Sequence, residues 1–514
     1  MNSRQIKLFF SNYWILLLLI AIKLILQFVL VNPIYELHRD EFLHLDQSFH
    51  PAAGYISVPP FTSWMASLIY LMGGGLFWIR LIPALFGTMT VVFGWLIVEE
   101  LGGKLSAKIL TSVLLIFSVY IRLNVLFQPN SFDILDWTII FYFFIKYVNN
   151  NQIKWLFFLS FFTALGLYNK YTIVFLIIGL IIGLLFTEQR RMFTKKAFYY
   201  AISISLLLIL PNIIWQITNH FPVIHHMRAL NESQLVNVNR IDFLFDQLKY
   251  GLIIIPTLAA FWGLIFYKPF KPYRFILYTF IVIMILFTIS RAKSYYTLGL
   301  YPVLFALGSV YLEILFKKWK TILISFLVIT QILAFFFIVK YLMPFQEPSE
   351  IIADKESYER IGLLRWEDGI NHPLPQDFAD MLGWKEMADK ALATYKMIPS
   401  DELQNTLIYC DNYGQAGALN YYNRDKTPEA YSFNTDYIYW LPKKIKLQNM
   451  LFVGQLPSEE VINMFENYKL VGVVENEFSR EKGTEIYLFQ GAKSSTAEMF
   501  NKIAEERKKN FDIF

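Results

Sequence analysis

Long apolar runs alternate with short polar segments from Tyr13 to Met343. An α-helix needs about 20 apolar residues to cross a bilayer, and windows of about 19 residues locate such segments. The first run follows Arg4 and Lys7 like a signal peptide, but it is too long for one and lacks a cleavage site, so we predict a retained span. The pattern predicts eleven spans, near 12–31, 77–98, 106–124, 132–148, 153–168, 171–187, 197–216, 249–267, 273–290, 296–316 and 321–343.

The pattern changes after Met343, where charges become frequent and β-rich runs alternate with helical ones. This alternation predicts a small α/β layer fold. Strands are predicted over Thr406–Cys410, Tyr437–Trp440, Met450–Val453, Leu470–Val474 and Glu485–Phe489. Helices are predicted over Trp384–Tyr395, Gln415–Tyr422, Ser458–Tyr468 and Ser495–Lys508. We therefore expect a polytopic α-helical membrane domain over 1–345 and a soluble α/β domain over 346–514.

The distribution of charge predicts the orientation in the membrane. The net charge is only +5, but Lys and Arg concentrate in alternate loops, which the positive-inside rule assigns to the cytoplasm. Eleven spans with a cytoplasmic N-terminus place the C-terminal domain outside. The first outer loop, 32–76, is long enough for two interfacial helices, predicted over 40–50 and 60–72.

Composition narrows the function further. Hydrophobic residues make up 55% of the chain and charged residues 17%, whereas soluble domains carry about 25% charge. No basic stripe or nucleic-acid motif is present, so we expect no nucleic-acid partner. Cys410 is the only cysteine, which excludes an intrachain disulfide and favours a core residue over a nucleophile.

Two adjacent carboxylates, Asp40 and Glu41, follow the first predicted span closely. Carboxylates are costly near the hydrocarbon boundary unless they have a function. One of them could act as the general base that takes a proton from an acceptor hydroxyl or amine. The alternative is a helix start at which acidic residues favour the helix dipole, and the spacing alone supports both equally.

Three cations lie near the outer ends of predicted spans, namely Lys170, Arg291 and Lys293. This placement is opposite to the positive-inside bias. A lipid-linked phosphate would explain it, because negative charge develops on the phosphate as a glycosidic bond to it breaks. The alternative is that these side chains extend to the lipid headgroups.

Further polar residues occupy the predicted outer face. Six of the seven histidines fall in two outer loops; His225 and His226 are the candidates for a metal site, but their spacing matches no metal-binding signature. Asn130 and Asp133 begin the fourth span, where they could contact a sugar or form a helix N-cap with Asn130 as the capping residue. A divalent metal therefore stays open, and no other cofactor is indicated.

An ordered series of motifs resembles the bacterial dolichyl-phosphate-mannose-protein-mannosyltransferase-like glycosyltransferases, relatives of the aminoarabinose lipid A transferase in the membrane class known as fold C. The likeness covers most of the chain. It rests on Asp40-Glu41, Gly54-Tyr55-x-x-x-Pro59-Pro60, Asn130-x-Phe132-Asp133, Asn169-Lys170-Tyr171-Thr172, Leu210-Pro211-Asn212-x-x-Trp215-Gln216, Lys293-x-Tyr295-Tyr296, Tyr301-Pro302, Asp411-Asn412-Tyr413-Gly414-Gln415-Ala416-Gly417-Ala418-Leu419 and Trp440-Leu441-Pro442. Relatives often carry charged residues just before the proline pair, whereas this chain has Ser57-Val58, which weakens the case for a metal.

The resemblance implies transfer of a sugar from a polyprenyl-phosphate donor to a lipid, protein or glycan acceptor outside a bacterial cytoplasmic membrane. Asp40 would be the base and Glu41 its support, while Lys293, Arg291 and Lys170 would neutralise the donor phosphate. It also implies substrate contacts for a further set of polar and aromatic residues: Tyr55, Asn130, Asp133, Tyr295 and Tyr296. The alternatives are a transporter or flippase of lipid-linked sugars, and an oligosaccharide ligase with a pyrophosphate-linked donor.

Overall fold

The computed structural model describes residues 3–249, 254–442 and 447–511. Its α-helices, numbered along the chain, are α1 Ser3–Val29, α2 Arg39–Asp46, α3 Phe61–Leu71, α4 Leu76–Glu100, α5 Leu105–Ile116, α6 Tyr120–Leu123, α7 Pro129–Asn150, α8 Lys154–Asn169, α9 Ile173–Leu185, α10 Lys196–Thr218, α11 Pro222–Ser233, α12 Arg240–Lys249, α13 Ile254–Phe266, α14 Phe275–Ile289, α15 Tyr301–Phe316, α16 Lys320–Leu342, α17 Pro348–Ala353, α18 Lys355–Arg360, α19 Gln376–Ala379, α20 Trp384–Tyr395, α21 Tyr413–Asn423, α22 Tyr437–Trp440, α23 Glu459–Ile462 and α24 Thr496–Asn510. Short 3-10 segments cover Gln47–Phe49, Glu188–Thr194, Leu235–Asn237, Lys268–Tyr273, Ser294–Leu300, Lys317–Trp319 and Leu403–Asn405.

The helices match the predicted apolar segments, but the number of spans is not confirmed. Among the described residues, three helical stretches are long and apolar enough to cross a membrane: Leu76–Glu100, Lys196–Thr218 and Ser294–Leu342. A fourth results if α9 and the segment Glu188–Thr194, bent by 107°, form one span. The predicted span 249–267 lies partly outside the described residues, and the predicted span 106–124 is broken between α5 and α6.

The chain folds into two compact units. The first unit contains residues 1–31, 77–215 and 232–345, and it is helical. Its helix α10 leaves Leu206, Leu207 and Ile214 more than half exposed, as expected for side chains that face lipid. The second unit contains residues 32–76, 216–231 and 346–514, so the first loop folds together with the C-terminal residues.

A five-stranded mixed sheet forms the centre of the second unit. Its strands are β1 Thr406–Cys410, β2 Ala430–Tyr431, β3 Asn449–Gly454, β4 Phe465–Val473 and β5 Glu485–Ala492, in the order β2-β1-β3-β5-β4. The pairs β1–β2 and β1–β3 are parallel, whereas β5 runs antiparallel to both β3 and β4. Ile56 of the first loop packs into the same apolar core as Leu407 and Phe500. Cys410 is buried in β1.

Two predictions for the C-terminal residues were wrong. Residues Tyr437–Trp440 form α22 rather than a strand. The predicted helix Ser458–Tyr468 is limited to α23, because β4 begins at Phe465 and pairs with β5 along its length. The two helices predicted in the first loop are confirmed as α2 and α3, whereas their position at the membrane interface stays a prediction.

Candidate active site

Helix α2 begins with the two carboxylates that the sequence singles out. His38 is the N-cap residue, and its Nδ1 accepts a hydrogen bond from the Asp40 N–H at 3.2 Å. Glu41 completes a capping box because its Oε2 accepts from the His38 N–H at 2.6 Å. Such a box satisfies backbone donors that the helix itself leaves unpaired. Glu41 is fully buried, so its geometry favours a helix-capping role, and its catalytic role stays a prediction.

Asp40 has different surroundings from Glu41. Its side chain is 40% exposed, and its Oδ1 accepts a hydrogen bond of 2.7 Å from the Tyr413 hydroxyl, which lies 373 residues further along the chain. The guanidinium of Arg39 stacks on the Tyr413 ring at 4.3 Å. We call the group of His38, Arg39, Asp40, Asp380 and Tyr413 the acidic centre.

The acidic centre favours the charged form of Asp40. Burial acts to raise the pKa of this carboxyl, but His38 when it is protonated, the Tyr413 hydrogen bond and the charge of Arg39 act against burial, and the pKa lies below its ordinary value. His38 Nδ1 lies 3.9 Å from Asp40 Oδ2. Asp40 is therefore ionised at neutral pH, as a general base must be.

Other carboxylates of the second unit hold the first loop to the C-terminal residues. Asp46 Oδ2 accepts hydrogen bonds from the Tyr437 hydroxyl and the Asn420 amide, both at 2.7 Å. Asp436 accepts from the Ile56 N–H at 2.6 Å. Burial raises the pKa of Asp46 and of Asp436. No local pattern marks these residues, because their partners lie hundreds of residues away.

Tyr55, a predicted substrate contact, is almost fully buried inside the first loop. Its hydroxyl lies 2.8 Å from the carbonyl oxygen of Gln47, 2.9 Å from that of His50 and 3.1 Å from Ser63 Oγ. These partners occupy the hydroxyl, so its geometry favours a role in holding the loop together.

In the first unit, three predicted site residues lie around a fourth, Lys170. The Lys170 ammonium donates a hydrogen bond of 2.7 Å to Asn130 Oδ1. It also lies over the rings of Tyr296 and Tyr295, 4.2 Å and 5.4 Å from their centroids. Aromatic faces attract a cation without removing its ability to bind an anion. We call Lys170, Asn130, Tyr295 and Tyr296 the basic cluster.

The start of α7 differs from the predicted N-cap. Pro129 occupies the first helical position and Gln128 is the capping residue, so Asn130 lies within the helix and the prediction that it caps was wrong. This position lets the Asn130 side chain reach Lys170. Asp133 follows one turn later and accepts from Thr172 Oγ1 at 3.2 Å.

Asp136, which the sequence analysis overlooked, is fully buried on α7. Among the described residues, neither of its carboxylate oxygens has a hydrogen-bond partner. A Cβ atom at Gly166 would lie 2.3 Å from Asp136 Oδ2, so only glycine at this position of α8 leaves room for the carboxylate. A charged residue type within an apolar span is the sequence signal that could have identified it.

The remaining predicted cations lie in the turn after α14. Arg291 donates to the carbonyl oxygen of Val236 at 2.8 Å and adopts a left-handed backbone conformation with φ of 53°. Lys293 is half-buried and directly precedes the 3-10 segment Ser294–Leu300. Arg291 is thus engaged with backbone, while phosphate contact by either residue stays a prediction.

The histidine pair offers little support for a metal. His225 stacks on Phe511 with a centroid distance of 3.7 Å. His226 lies in more buried surroundings, which lower its pKa to about 4. No group of three or more His, Cys, Asp or Glu side chains suited to a metal occurs in the described parts of the chain.

Comparison with known proteins supports the class of protein that the motifs indicate. Residues 57–215 match the family model described as dolichyl-phosphate-mannose-protein mannosyltransferase. The matched range includes Lys170 and Asn130, whereas Asp40 lies before it. No curated protein sequence matches the chain significantly.

The fold is similar to that of ArnT from Cupriavidus metallidurans. The structure of that protein bound to undecaprenyl phosphate aligns with a TM-score of 0.64 and 15% sequence identity, covering 93% of this chain and 98% of that chain. Its apo structure aligns with a TM-score of 0.57 and 13% identity over the same shares. The resemblance to mannosyltransferase-like membrane glycosyltransferases of fold class C is therefore confirmed, and the chain has an ArnT-like helical fold with a C-terminal sheet domain.

Proposed function

We propose that this protein is a membrane glycosyltransferase that moves a sugar from a polyprenyl-phosphate donor to an extracytoplasmic acceptor. The observation that carries the proposal is Asp40, an ionised and 40% exposed carboxylate at the start of a helix. A base of this kind has the charge and the accessibility needed to take a proton from an acceptor. The family match over residues 57–215 supports the same class of reaction.

The basic cluster supports a lipid-phosphate donor. Lys170 has one hydrogen bond to a neutral amide and two aromatic faces beside it. An ammonium in these surroundings keeps donor capacity for phosphate oxygens. The similar ArnT structure was solved with undecaprenyl phosphate, which is the chemical class that we propose here.

The proposed reaction is a single displacement at the anomeric carbon. Asp40 takes the proton of the acceptor hydroxyl or amine, and the freed electron pair forms the new bond to the sugar. The bond from the anomeric carbon to the phosphate oxygen breaks, and its electron pair leaves on the polyprenyl phosphate. Lys170, with Lys293 as a second candidate, stabilises the negative charge that develops there. Attack from the opposite face inverts the anomeric centre.

Orientation and domain roles are part of the proposal. We propose the bacterial cytoplasmic membrane as the location, and the positive-inside distribution supports an orientation with residues 346–514 outside. The sugar is delivered to a lipid, a protein or another glycan on that side. With this orientation, we propose that the chain consists of a membrane domain over 1–345 and a C-terminal domain over 346–514.

The test is sugar transfer by purified protein in lipid, supplied with a panel of polyprenyl-phosphate sugars and cell-envelope extract. Asp40→Asn should lower transfer by about a hundredfold, the scale expected for loss of a general base. The control is Asp389→Asn, which removes a carboxylate that is 55% exposed and paired with Lys385 on α20. This control should transfer sugar like wild type.

Two outcomes would contradict the proposal. Full activity of Asp40→Asn would remove Asp40 from the chemistry. Folded wild-type protein that consumes no donor in the panel would instead favour the transporter or the ligase with a pyrophosphate-linked donor.

A further inference from the structure

We infer that Tyr413 of the C-terminal sheet domain is a positioning residue for Asp40, which it holds through the hydroxyl-to-carboxylate hydrogen bond. This inference rests on the proposed function, because it assigns Tyr413 a role through the general base. It also gives the C-terminal residues a part in the reaction that the family match over 57–215 does not include.

The position of Tyr413 is determined by the start of its own helix. Tyr413 is the first residue of α21, and Asn412 is the N-cap. Asn412 Oδ1 accepts from the N–H groups of Gly414 and Gln415 at 2.9 Å and 3.1 Å. In return, Gln415 Oε1 accepts a hydrogen bond from the Asn412 N–H at 3.4 Å. This capping box orients the first turn of the helix, and with it the tyrosine.

Two glycines of α21 allow helix α2 to approach closely enough for the contact. A Cβ atom at Gly414 would lie 2.7 Å from Arg39 Cγ. A Cβ atom at Gly417 would lie 2.7 Å from Phe42 Cβ. Real Cβ atoms do not approach other atoms this closely, so larger residues would push the two helices apart. The two glycines therefore allow α21 to lie close enough to α2 for the Tyr413 hydroxyl to contact Asp40.

A second tyrosine–carboxylate pair on α2 shows what a purely structural contact looks like. Tyr437 donates to Asp46 at 2.7 Å, but Asp46 also accepts from Asn420 and pairs with Arg424. The Asp46 side chain is only 3% exposed. Asp40 is 40% exposed, so its tyrosine orients a carboxylate that a substrate can reach.

The charges around Asp40 determine the expected pH dependence. Its titratable and charged neighbours are the N-cap residue His38, Arg39 and His44 from α2, Tyr413 from α21, and Asp380 with its partner Arg480. Burial raises the pKa of Tyr413 well above its ordinary value, so this hydroxyl remains a donor at neutral pH. Its hydrogen bond is one of the causes that lower the pKa of Asp40. Removing the hydroxyl therefore raises the pKa of Asp40, and transfer is lost at a higher pH as the medium is acidified.

The experiment measures transfer against pH for the full chain in lipid, with the polyprenyl-phosphate sugar that wild type consumes. Tyr413→Phe should lower kcat/KM about tenfold at neutral pH, the scale of a hydrogen bond to a charged group. It should also move the acidic limb of the profile to higher pH. Tyr437→Phe is the matched control. It removes the corresponding hydroxyl from the Tyr437–Asp46 pair and should leave the acidic limb of the pH profile in place.

A double variant separates positioning from general stability. In the Asp40→Asn background, Tyr413→Phe should have little further effect, because both changes act through one carboxylate. Multiplicative losses, or a Tyr413→Phe profile that coincides with wild type, would overturn the inference. If Asp40→Asn loses transfer while Tyr413→Phe does not, this inference fails and the proposed function stands. If Asp40→Asn is fully active, or wild type consumes no donor, both fail.

Discussion

The acidic centre and the basic cluster hold their key charges by different means. Asp40 accepts a hydrogen bond from Tyr413, and the cap residue His38 lies beside it. Lys170 instead has one hydrogen bond, to Asn130, and two ring faces at 4.2 Å and 5.4 Å. The carboxylate is thus bound by directional contacts, and the ammonium mostly by non-directional ones.

The difference matches the tasks that we propose for the two groups. Proton transfer requires a base at hydrogen-bond distance and in the correct direction, so a directional partner is useful to Asp40. A lysine ammonium acts as a point charge on a flexible stem. Ring faces stabilise that charge while it adjusts to a phosphate group. Substitutions in the acidic centre or in the basic cluster test this difference.

The largest effect in this set is expected from Lys170→Met. Removing one group that stabilises developing charge costs about a hundredfold in kcat, and Lys170→Arg should restore part of the loss because it keeps the charge. Transfer assays with purified protein and polyprenyl-phosphate sugar measure both. The control is Lys195→Met, since Lys195 also bonds to polar side chains and lies 5.2 Å from a tyrosine ring. Wild-type transfer by Lys170→Met would exclude Lys170 from phosphate binding.

A smaller effect is expected from Tyr296→Leu, which removes the nearer ring beside Lys170. A cation–π contact contributes about 1 kcal/mol, so kcat/KM for the donor should fall about fivefold. Tyr296→Phe retains the ring and should behave like wild type. Equal losses in the two variants would mean that the hydroxyl, rather than the ring face, is what matters.

The smallest effect is expected from Glu41→Gln. The amide oxygen can still accept from the His38 N–H, and the negative charge lost near the helix N-terminus is worth about 0.5 kcal/mol. Transfer should stay within about twofold of wild type, and the thermal unfolding midpoint should fall only slightly. A loss of transfer as large as that of Asp40→Asn would reverse the roles that we assign to the two carboxylates.

Local sequence was sufficient wherever an element depends on near neighbours. The helix Trp384–Tyr395 has the predicted ends, and the strand Thr406–Cys410 is also as predicted. The prediction of secondary structure failed where contacts with distant parts of the chain determine the element. The aromatic run Tyr437–Trp440 resembles a strand, yet it forms a helix from which Tyr437 reaches Asp46. The second half of Ser458–Tyr468 is a strand because β5 pairs with it.

The same distinction applies to the candidate site. Asp40 and Lys170 could be singled out because charged residue types near lipid are costly and therefore informative. Tyr413 could not be singled out as a site residue, although Asn412 and Gln415 show the spacing of a capping box. Nothing in the local pattern indicates that this tyrosine meets a carboxylate 373 residues away.

The sequence by itself determined where apolar helices form and which charged residues lie at their ends, because the cost of exposing backbone groups and charges to lipid acts on each segment separately. Only the tertiary structure decided the roles within the pair Asp40 and Glu41. One carboxylate turns back to cap its own helix and is fully buried. The other is held by a tyrosine from the C-terminal domain and remains 40% exposed. The physical reason is that ionisation and accessibility depend on every group packed around a side chain, wherever that group stands in the chain.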